Sequence, residues 1–182
     1  SQCRITGLFL GLGEHLSTYV PFRHDNFKYN LPIEFLRLIF DTINSQPPSP
    51  EVILLGHNVK FEIEGFYQEF REIIRCDIDT YLLAILANPK IGKGTHTLKT
   101  LAAQVDKKFY LSLKDIFIGK VQFNVLDEDT VKLYGCPDAT SPAKIYPWLM
   151  EQIPKDEEFV IKLENKLPPI KAMNEFYGMR LL

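Results

Sequence analysis

The fold is decided by the stretch VILLGHNVKFE at residues 52–62. Residues 52–56 form an apolar run with the length and composition of a buried, parallel strand, and a helical pattern then extends to about residue 71. A strand that leads into a helix is the repeating unit of an α/β domain. We therefore expect the polar side chains of residues 57–62 at the carboxyl end of a strand, where open α/β sheets bind ligands.

The flanking segments continue this mixture of strands and helices. Residues 5–12 and 17–22 predict a hairpin with its turn at residues 13–15, and residues 74–77 predict another short strand. Apolar residues at helical spacing predict a helix over residues 32–44. Further helices are predicted over residues 80–87, 97–105, from 127 past 138, and 155–178. The pattern indicates an α/β fold.

Length and charge limit the functions that the chain can perform. With 182 residues it is long enough for one domain, or one domain with an appendage. Lys and Arg number 21 against 23 Asp and Glu, which gives a net charge of −2. Bulk electrostatic attraction cannot hold a polyanion on so balanced a chain. If the protein handles nucleic acid, it must do so through metal ions or a few placed side chains.

Targeting signals and a disulfide framework are not evident in the sequence. No apolar run approaches the ~20 residues of a membrane helix, and the first residues lack the apolar core of a signal peptide. The three cysteines are odd in number and widely spaced, which argues against a disulfide scaffold. We expect a cytoplasmic protein without membrane partners, or alternatively one from an organelle matrix.

Two places in the sequence contain residues that could take part in catalysis or metal binding. One is the strand end with Asn58 and Glu62, and the other is the pair Tyr134 and Asp138, which would share a helix face at a spacing of four. An acid from each element, meeting in a cleft, suits a hard cation such as Mg²⁺. Each signal alone also fits a plainer interpretation, namely turn chemistry for Asn58 and a solvated helix face for the pair.

Taken in order, the segments resemble a known family. That family is the 3′–5′ proofreading exonuclease domain, of the DEDDy class, of bacterial and phage DNA polymerase I-like (family A) enzymes. Residues 56–62 resemble its second exonuclease motif, and residues 134–138 its third, Tyr-x-x-x-Asp. Similar stretches between and around them are residues 19–25, 79–83, 95–102, 122–125 and 164–179.

The resemblance implies a fold and a function. The fold is a ribonuclease H-like three-layer α/β domain with a mixed central sheet that lacks its first strand. It implies an exonuclease-like domain over residues 1–153, truncated at its N-terminus. Residues 154–182 would then be a linker helix at the start of a polymerase domain. The implied activity is two-metal hydrolysis, with Mg²⁺ or Mn²⁺, at the single-stranded 3′ end of DNA, beside a polymerase domain in cis.

The resemblance also assigns roles to residues of this chain. Glu62 and Asp138 would be the metal-binding acids, and Tyr134 would orient the attacking water, which makes these three the catalytic candidates. Asn58 and Lys60 would lie along the DNA strand. Phe61 and Leu113 would offer apolar surface to the frayed end. His57 could touch the substrate, although a structural role suits it better.

Three departures from the family pattern affect these expectations. The first motif, Asp-x-Glu-Thr, would lie on a strand upstream of Ser1, so this chain alone is expected to be inactive. Glu62 stands where the family has Asp, and Mg²⁺ demands near-ideal geometry. Pro137 lies between Tyr134 and Asp138, where it is expected to kink or end the helix.

Three other functions remain open. The chain could be a degenerate exonuclease fold kept as a non-catalytic scaffold of a polymerase. It could also be a free-standing RNA exonuclease of the ribonuclease D type, or a binding protein that shares only the fold.

Overall fold

The computed structural model describes residues 4–47, 49, 51–89, 95–107 and 123–178 of the chain. It shows the predicted mixture of α-helices and short β-strands. The strands are β1 Gly7–Leu12, β2 Leu16–Pro21, β3 Leu55–Gly56 and β4 Ile78–Asp79. The α-helices are α1 Ile33–Ser45, α2 Lys60–Phe70, α3 Thr80–Ala87, α4 Leu98–Asp106, α5 Glu128–Gln152, α6 Glu158–Glu164 and α7 Leu167–Tyr177, with 3₁₀ turns at Phe123–Val125 and Lys155–Glu157.

The strands of the described residues form two separate pairs. β1 and β2 make the predicted antiparallel hairpin, in a register that runs from Gly7 opposite Pro21 to Leu12 opposite Leu16. β3 and β4 are parallel, with Gly56 opposite Asp79. The α/β class is therefore confirmed, whereas the expected single mixed sheet is present here as two two-stranded sheets.

The parallel pair of β3 and β4 is shorter than the strands predicted from the sequence, and β4 lies further along the chain than predicted. Val52 and Ile53 are exposed, so their apolar character does not reflect burial in a sheet. The backbone carbonyl of Leu54 accepts the N–H groups of both Asp77 and Ile78. Pairing therefore begins there, and the strand predicted at residues 74–77 lies at Ile78–Asp79 instead.

Three apolar clusters hold the elements together. The first joins the hairpin and the segment after it to α1, α2 and α7, and the second joins α3 and α4 to α5 and α6. The third lies where the hairpin meets the start of α5. Their most deeply buried members include Leu36, Phe40, Ile63 and Ala172 in the first, Leu83, Ala102, Ile145 and Leu149 in the second, and Val131 in the third.

Helix α5 continues across Pro137, contrary to the expectation that this proline would kink or end it. The helix runs from Glu128 to Gln152 and contains Pro137, Pro142 and Pro147. Each proline removes one backbone donor. Packing against the hairpin on one side and against α3 and α4 on the other holds the helix together despite these losses.

The last predicted helix is divided in two. α6 ends at Glu164, and α7 starts at Leu167 with a proline in its first turn. The first N–H groups of a helix have no partner within the helix, so Pro168 and Pro169 suit the first turn of α7, where the donor that proline lacks is not needed. The predicted helix stop at Gly178 is confirmed, since α7 ends at Tyr177 and Gly178 follows it with a positive φ of +74°.

None of the helices within the described ranges has the length and apolar character needed to cross a membrane. Cys76 and Cys136 are both free thiols.

The close approach of β1 to α5 depends on Gly11. A Cβ atom at this position would lie 2.2 Å from the carbonyl oxygen of Ala139, a backbone atom of α5 that cannot rotate away. We expect Gly11→Ala to lower the free energy of unfolding by about 2 to 3 kcal/mol, measured by urea denaturation.

Gly65 on α2 is the matched control, since a Cβ atom there would make an ordinary contact, 3.6 Å from Ile5. Gly65→Ala should leave stability unchanged or raise it by up to about 1 kcal/mol, because Ala favours helix. Equal effects of the two substitutions would contradict the close packing of β1 on α5.

Candidate active site

The turn between β3 and α2 carries the first group of predicted site residues. Within it, Asn58 has a left-handed backbone with φ of +59°. Asparagine enters this region more readily than most residues because its short amide can hydrogen-bond locally. The turn redirects the chain from the strand into the helix, so Lys60, Phe61 and Glu62 form the first turn of α2.

Asp79 holds this turn in place from the end of β4. Its Oδ1 accepts the backbone N–H of Asn58 at 2.7 Å and that of Tyr81 at 2.9 Å. Its Oδ2 accepts the N–H of Val59 at 3.1 Å. Burial raises the pKa of the Asp79 carboxyl, while the three N–H donors act in the opposite direction. One carboxylate therefore caps α3 and anchors the start of α2.

The sequence contains a signal for only half of this role. An Asp directly before a helix is a common N-cap, which accounts for the bond to Tyr81. The bonds from Asp79 to Asn58 and Val59 join segments about 20 residues apart and leave no local pattern. In the sequence, Asp79 is marked only as the first residue of the stretch 79–83 that resembles the family.

Both ring nitrogens of His57 contact other groups of the protein. Nε2–H donates to the backbone carbonyl of His96 at 2.9 Å, and Nδ1 lies 3.0 Å from the hydroxyl of Thr80. Burial lowers the pKa of His57 to about 4, so the ring is neutral at physiological pH. This arrangement fits the structural role, since a nucleic-acid contact by a ring nitrogen of His57 would have to break one of these hydrogen bonds.

Glu62 is exposed in the first turn of α2. The pKa of Glu62 is raised to about 7, mainly because nearby protein atoms remove water from its carboxyl group. Repulsion from the charge of Asp79 is a smaller cause. Solvent reaches the exposed side and limits the size of this rise. Glu62 is thus an accessible carboxyl in a negatively charged neighbourhood.

The residues predicted to lie along DNA are placed differently from one another. Lys60 Nζ donates to both carboxylate oxygens of Glu175 on α7, at 2.8 and 2.9 Å, so its charge is already balanced. Phe61 is 60% exposed, and Lys60 Nζ lies 4.9 Å from its ring centroid. Phe61 is therefore available for base stacking, whereas Lys60 is held towards α7. Leu113 lies outside the described residues.

Tyr134 and Asp138 share one face of α5, as their spacing predicts. The ammonium of Lys99 on α4 lies 3.4 Å from Asp138 Oδ1 and 4.0 Å from the centroid of the Tyr134 ring. One side chain thus reaches both residues, so the proline between them does not separate them. The role of Lys99 was missed because a contact between two helices has no local sequence signal.

Burial is the largest cause of the pKa shifts of Tyr134 and Asp138. It raises the pKa of the Asp138 carboxyl, although Lys99 acts to lower it. Burial, with the charge of Asp138 as a smaller cause, also raises the pKa of the Tyr134 hydroxyl. Tyr134 therefore keeps its proton at neutral pH and can donate a hydrogen bond.

The oxygen atoms present fit a hard cation in part. Asp138 Oδ1 is buried, and within the described part of the chain it faces the Lys99 ammonium without a hydrogen bond of good geometry, so it keeps capacity to accept a further partner. Glu62 offers a second, accessible carboxylate. No cluster of three or more His, Cys, Asp or Glu side chains that could hold a metal ion occurs among residues that the structure describes. Two acids are fewer than the four that the resemblance implies.

Comparison with known proteins identifies the fold. No protein-family model matches the chain, and no curated protein matches it. Solved structures do match, among them Brucella melitensis NrnC, with a TM-score of 0.65 and 12% sequence identity over 96% of this chain and 84% of that chain.

Two further structures of the same protein are similar to this chain. Brucella melitensis NrnC bound to pGG matches with a TM-score of 0.59 and 15% identity, covering 96% of this chain and 84% of that chain. NrnC with bound Mg²⁺ matches with a TM-score of 0.58 and 14% identity, covering 96% and 85%. The chain therefore has a ribonuclease H-like exonuclease fold, as the sequence predicts.

The anchoring role of Asp79 can be tested by replacing one of its two carboxylate oxygens, which accept the backbone hydrogen bonds. In Asp79→Asn, an NH₂ group replaces one of the two oxygens, so at least one buried backbone donor loses its partner. We expect the free energy of unfolding to fall by about 2 to 4 kcal/mol in urea denaturation. The control is Asp127→Asn at the exposed start of α5, where Asn is an equally good N-cap and the expected change is within about 0.5 kcal/mol. Similar losses in both variants would contradict the anchoring role of Asp79.

His57 makes stability depend on pH in a defined direction. Its pKa is about 4 in the folded chain against an ordinary value of 6.5, so the unfolded state binds the proton more strongly. The contribution of neutral His57 is present above pH 6.5 and is lost as the pH falls from 6.5 to 4, by up to about 3 kcal/mol.

The variant His57→Gln isolates this contribution. Glu62 also makes stability depend on pH, because its raised pKa favours the folded state as the pH falls from 7 to 4.5. Since Glu62 is present in both proteins, its effect cancels in the comparison. We expect the stability difference between wild type and His57→Gln to shrink as the pH falls from 7 to 4, measured by urea denaturation at each pH. A difference that is constant over this range would contradict a buried, neutral His57.

Proposed function

We propose that the chain is the exonuclease-fold part of a divalent-metal-dependent 3′–5′ exonuclease that acts on single-stranded RNA ends. The observation that carries this proposal is the environment of Asp138. Its Oδ1 is buried and faces the Lys99 ammonium at 3.4 Å, without a hydrogen bond of good geometry, next to a protonated Tyr134 on the same helix face. A buried carboxylate oxygen that a cation already approaches, beside a hydroxyl donor, suits a metal ligand next to a positioned water.

Each candidate residue has a role in this proposal. Asp138 and Glu62 are the metal-binding acids, and Tyr134 orients the attacking water through its hydroxyl. Phe61 stacks against a terminal base through its exposed ring. A divalent ion bound by these acids would lower the pKa of a bound water and stabilise charge on the phosphate.

Hydrolysis requires more carboxylates than these two. The resemblance implies four, and the described residues supply Glu62 and Asp138. β1 pairs only with β2, and β3 only with β4, among the described strands, so an added strand could bring an Asp-x-Glu pair to an open edge. We propose that the two further acids are provided in this way.

RNA is favoured over DNA by the structural neighbours. NrnC has been solved with bound Mg²⁺ and bound to pGG, and this chain covers 84 to 85% of those chains. Helix α7, which resembles a junction into a polymerase, packs on α2 and buries Ala172 completely in the first apolar cluster. The competing substrate is a DNA 3′ end, because the motif order resembles the proofreading domain of a family A polymerase.

A non-catalytic scaffold is the second candidate function. It is favoured by Lys99, whose ammonium faces the same Asp138 oxygen that a metal would need, and by Glu62 in place of the family's Asp. This candidate gives the same fold and the same packing without hydrolysis.

Trimming of labelled oligonucleotides tests these functions. The complete natural protein is incubated with 5′-labelled single-stranded RNA or DNA of one sequence, with Mg²⁺ or with EDTA. We expect Mg²⁺-dependent shortening from the 3′ end, faster on RNA. Asp138→Asn should slow it by at least about 100-fold, because small misplacements of reacting groups cost that much.

Asp106→Asn is the matched control, since Asp106 also pairs with a lysine between α4 and α5 and has similar exposure. It should keep the wild-type rate within about threefold. Unchanged trimming in Asp138→Asn would contradict the proposed site. Faster trimming of DNA would reassign the substrate, and no trimming by the wild-type protein would favour the scaffold.

A further inference from the structure

Two lysine–aspartate pairs connect α4 to α5, and they differ in geometry. Lys144 Nζ donates to Asp106 Oδ2 at 2.7 Å, the length of a charge-assisted hydrogen bond. Lys99 Nζ lies 3.4 Å from Asp138 Oδ1, beyond that length. The four side chains are 18 to 25% exposed. Burial therefore does not explain the difference between the two pairs.

The ammonium of Lys99 also contacts the Tyr134 ring. Besides Asp138, it lies 4.0 Å from the centroid of the Tyr134 ring, well within the ~6 Å range of a cation–π interaction. The ring gives the ammonium a favourable position that does not depend on Asp138. Lys99 can therefore move away from the carboxylate without losing every favourable contact.

Lys99 faces the oxygen that is best placed to bind a metal ion. Asp138 Oδ1 is buried and lies opposite the ammonium without a hydrogen bond of good geometry. A divalent ion on this oxygen would lie a few ångströms from a positive charge in a partly buried site, where like charges repel more strongly than in water. The ion and the ammonium thus compete for one oxygen.

We propose that Lys99 is an internal counter-cation that weakens divalent-metal binding at Asp138. It neutralises the acid and holds α4 against α5, and a metal ion binds tightly only when further acids outweigh its charge. Lys99 is thus a positioning residue that sets the metal affinity of the site. This inference rests on the proposed function, because it concerns the same acid.

Mn²⁺ titration of the 182-residue chain, followed by water-proton relaxation, measures this competition. For the wild type we expect a dissociation constant in the millimolar range, because two acids are available. Lys99→Met removes the charge but keeps an unbranched side chain, and should tighten Mn²⁺ binding about tenfold. Lys99→Arg keeps the charge and should stay within about twofold of the wild type.

Lys144→Met is the matched control, since it breaks the neighbouring pair between the same two helices. It should leave Mn²⁺ affinity unchanged, although it can lower stability as Lys99→Met does. If Lys99→Met does not fold, Lys99→Gln replaces it, with folding checked by circular dichroism. Thermal unfolding gives a second readout, because the rise in Tm on adding Mn²⁺ should be larger for the neutral Lys99 variant than for the wild type or Lys144→Met.

The outcomes separate this inference from the proposed function. Asp138→Asn should abolish the Mn²⁺ binding that the wild type shows. If it does, and the neutral Lys99 variant binds Mn²⁺ no more tightly than the wild type, the counter-cation role is overturned while the metal site stands. If Asp138→Asn leaves Mn²⁺ binding unchanged, the proposed metal site fails, and the role of Lys99 is overturned with it.

Discussion

The carboxylate of Asp79 connects the parts of the protein on which the site depends. It accepts three backbone N–H groups, two from the turn that starts α2 and one from the first turn of α3. Its own N–H donates to the side chain of Asn165, near the junction of α6 and α7. A single buried acid thereby fixes the end of the parallel strand pair, the direction of α2 and the position of Glu62.

Helix α5 carries the other residues of the proposed site, and close packing determines its position. Gly11 and Gly135 let β1 approach the helix more closely than any side chain would allow. Lys99 then joins α4 to the same helix face through Asp138 and the Tyr134 ring. The geometry of the site therefore depends on backbone contacts of α5 and on a charge from a neighbouring helix, rather than on the helical spacing of Tyr134 and Asp138 alone.

Sequence reasoning succeeded where a local pattern determines structure. The hairpin followed from its apolar runs, and the shared face of Tyr134 and Asp138 followed from their spacing. It failed where tertiary contacts decide. Pro137 was expected to disrupt α5, but packing on both sides keeps the helix continuous. A short strand was expected at residues 74–77, but pairing through Leu54 places it further along the chain. Lys99 is 39 residues from Asp138, so only the folded chain brings them together.

Paramagnetic broadening by Mn²⁺ in a ¹H–¹⁵N NMR spectrum of the chain is the most direct test of whether Asp138 on α5 and Glu62 on α2 belong to one divalent-metal site. At low Mn²⁺ occupancy, we predict selective loss of the amide signals around residues 60–64 and 134–140, reversed by EDTA. Broadening centred elsewhere, or around only one of these two segments, would contradict a shared site.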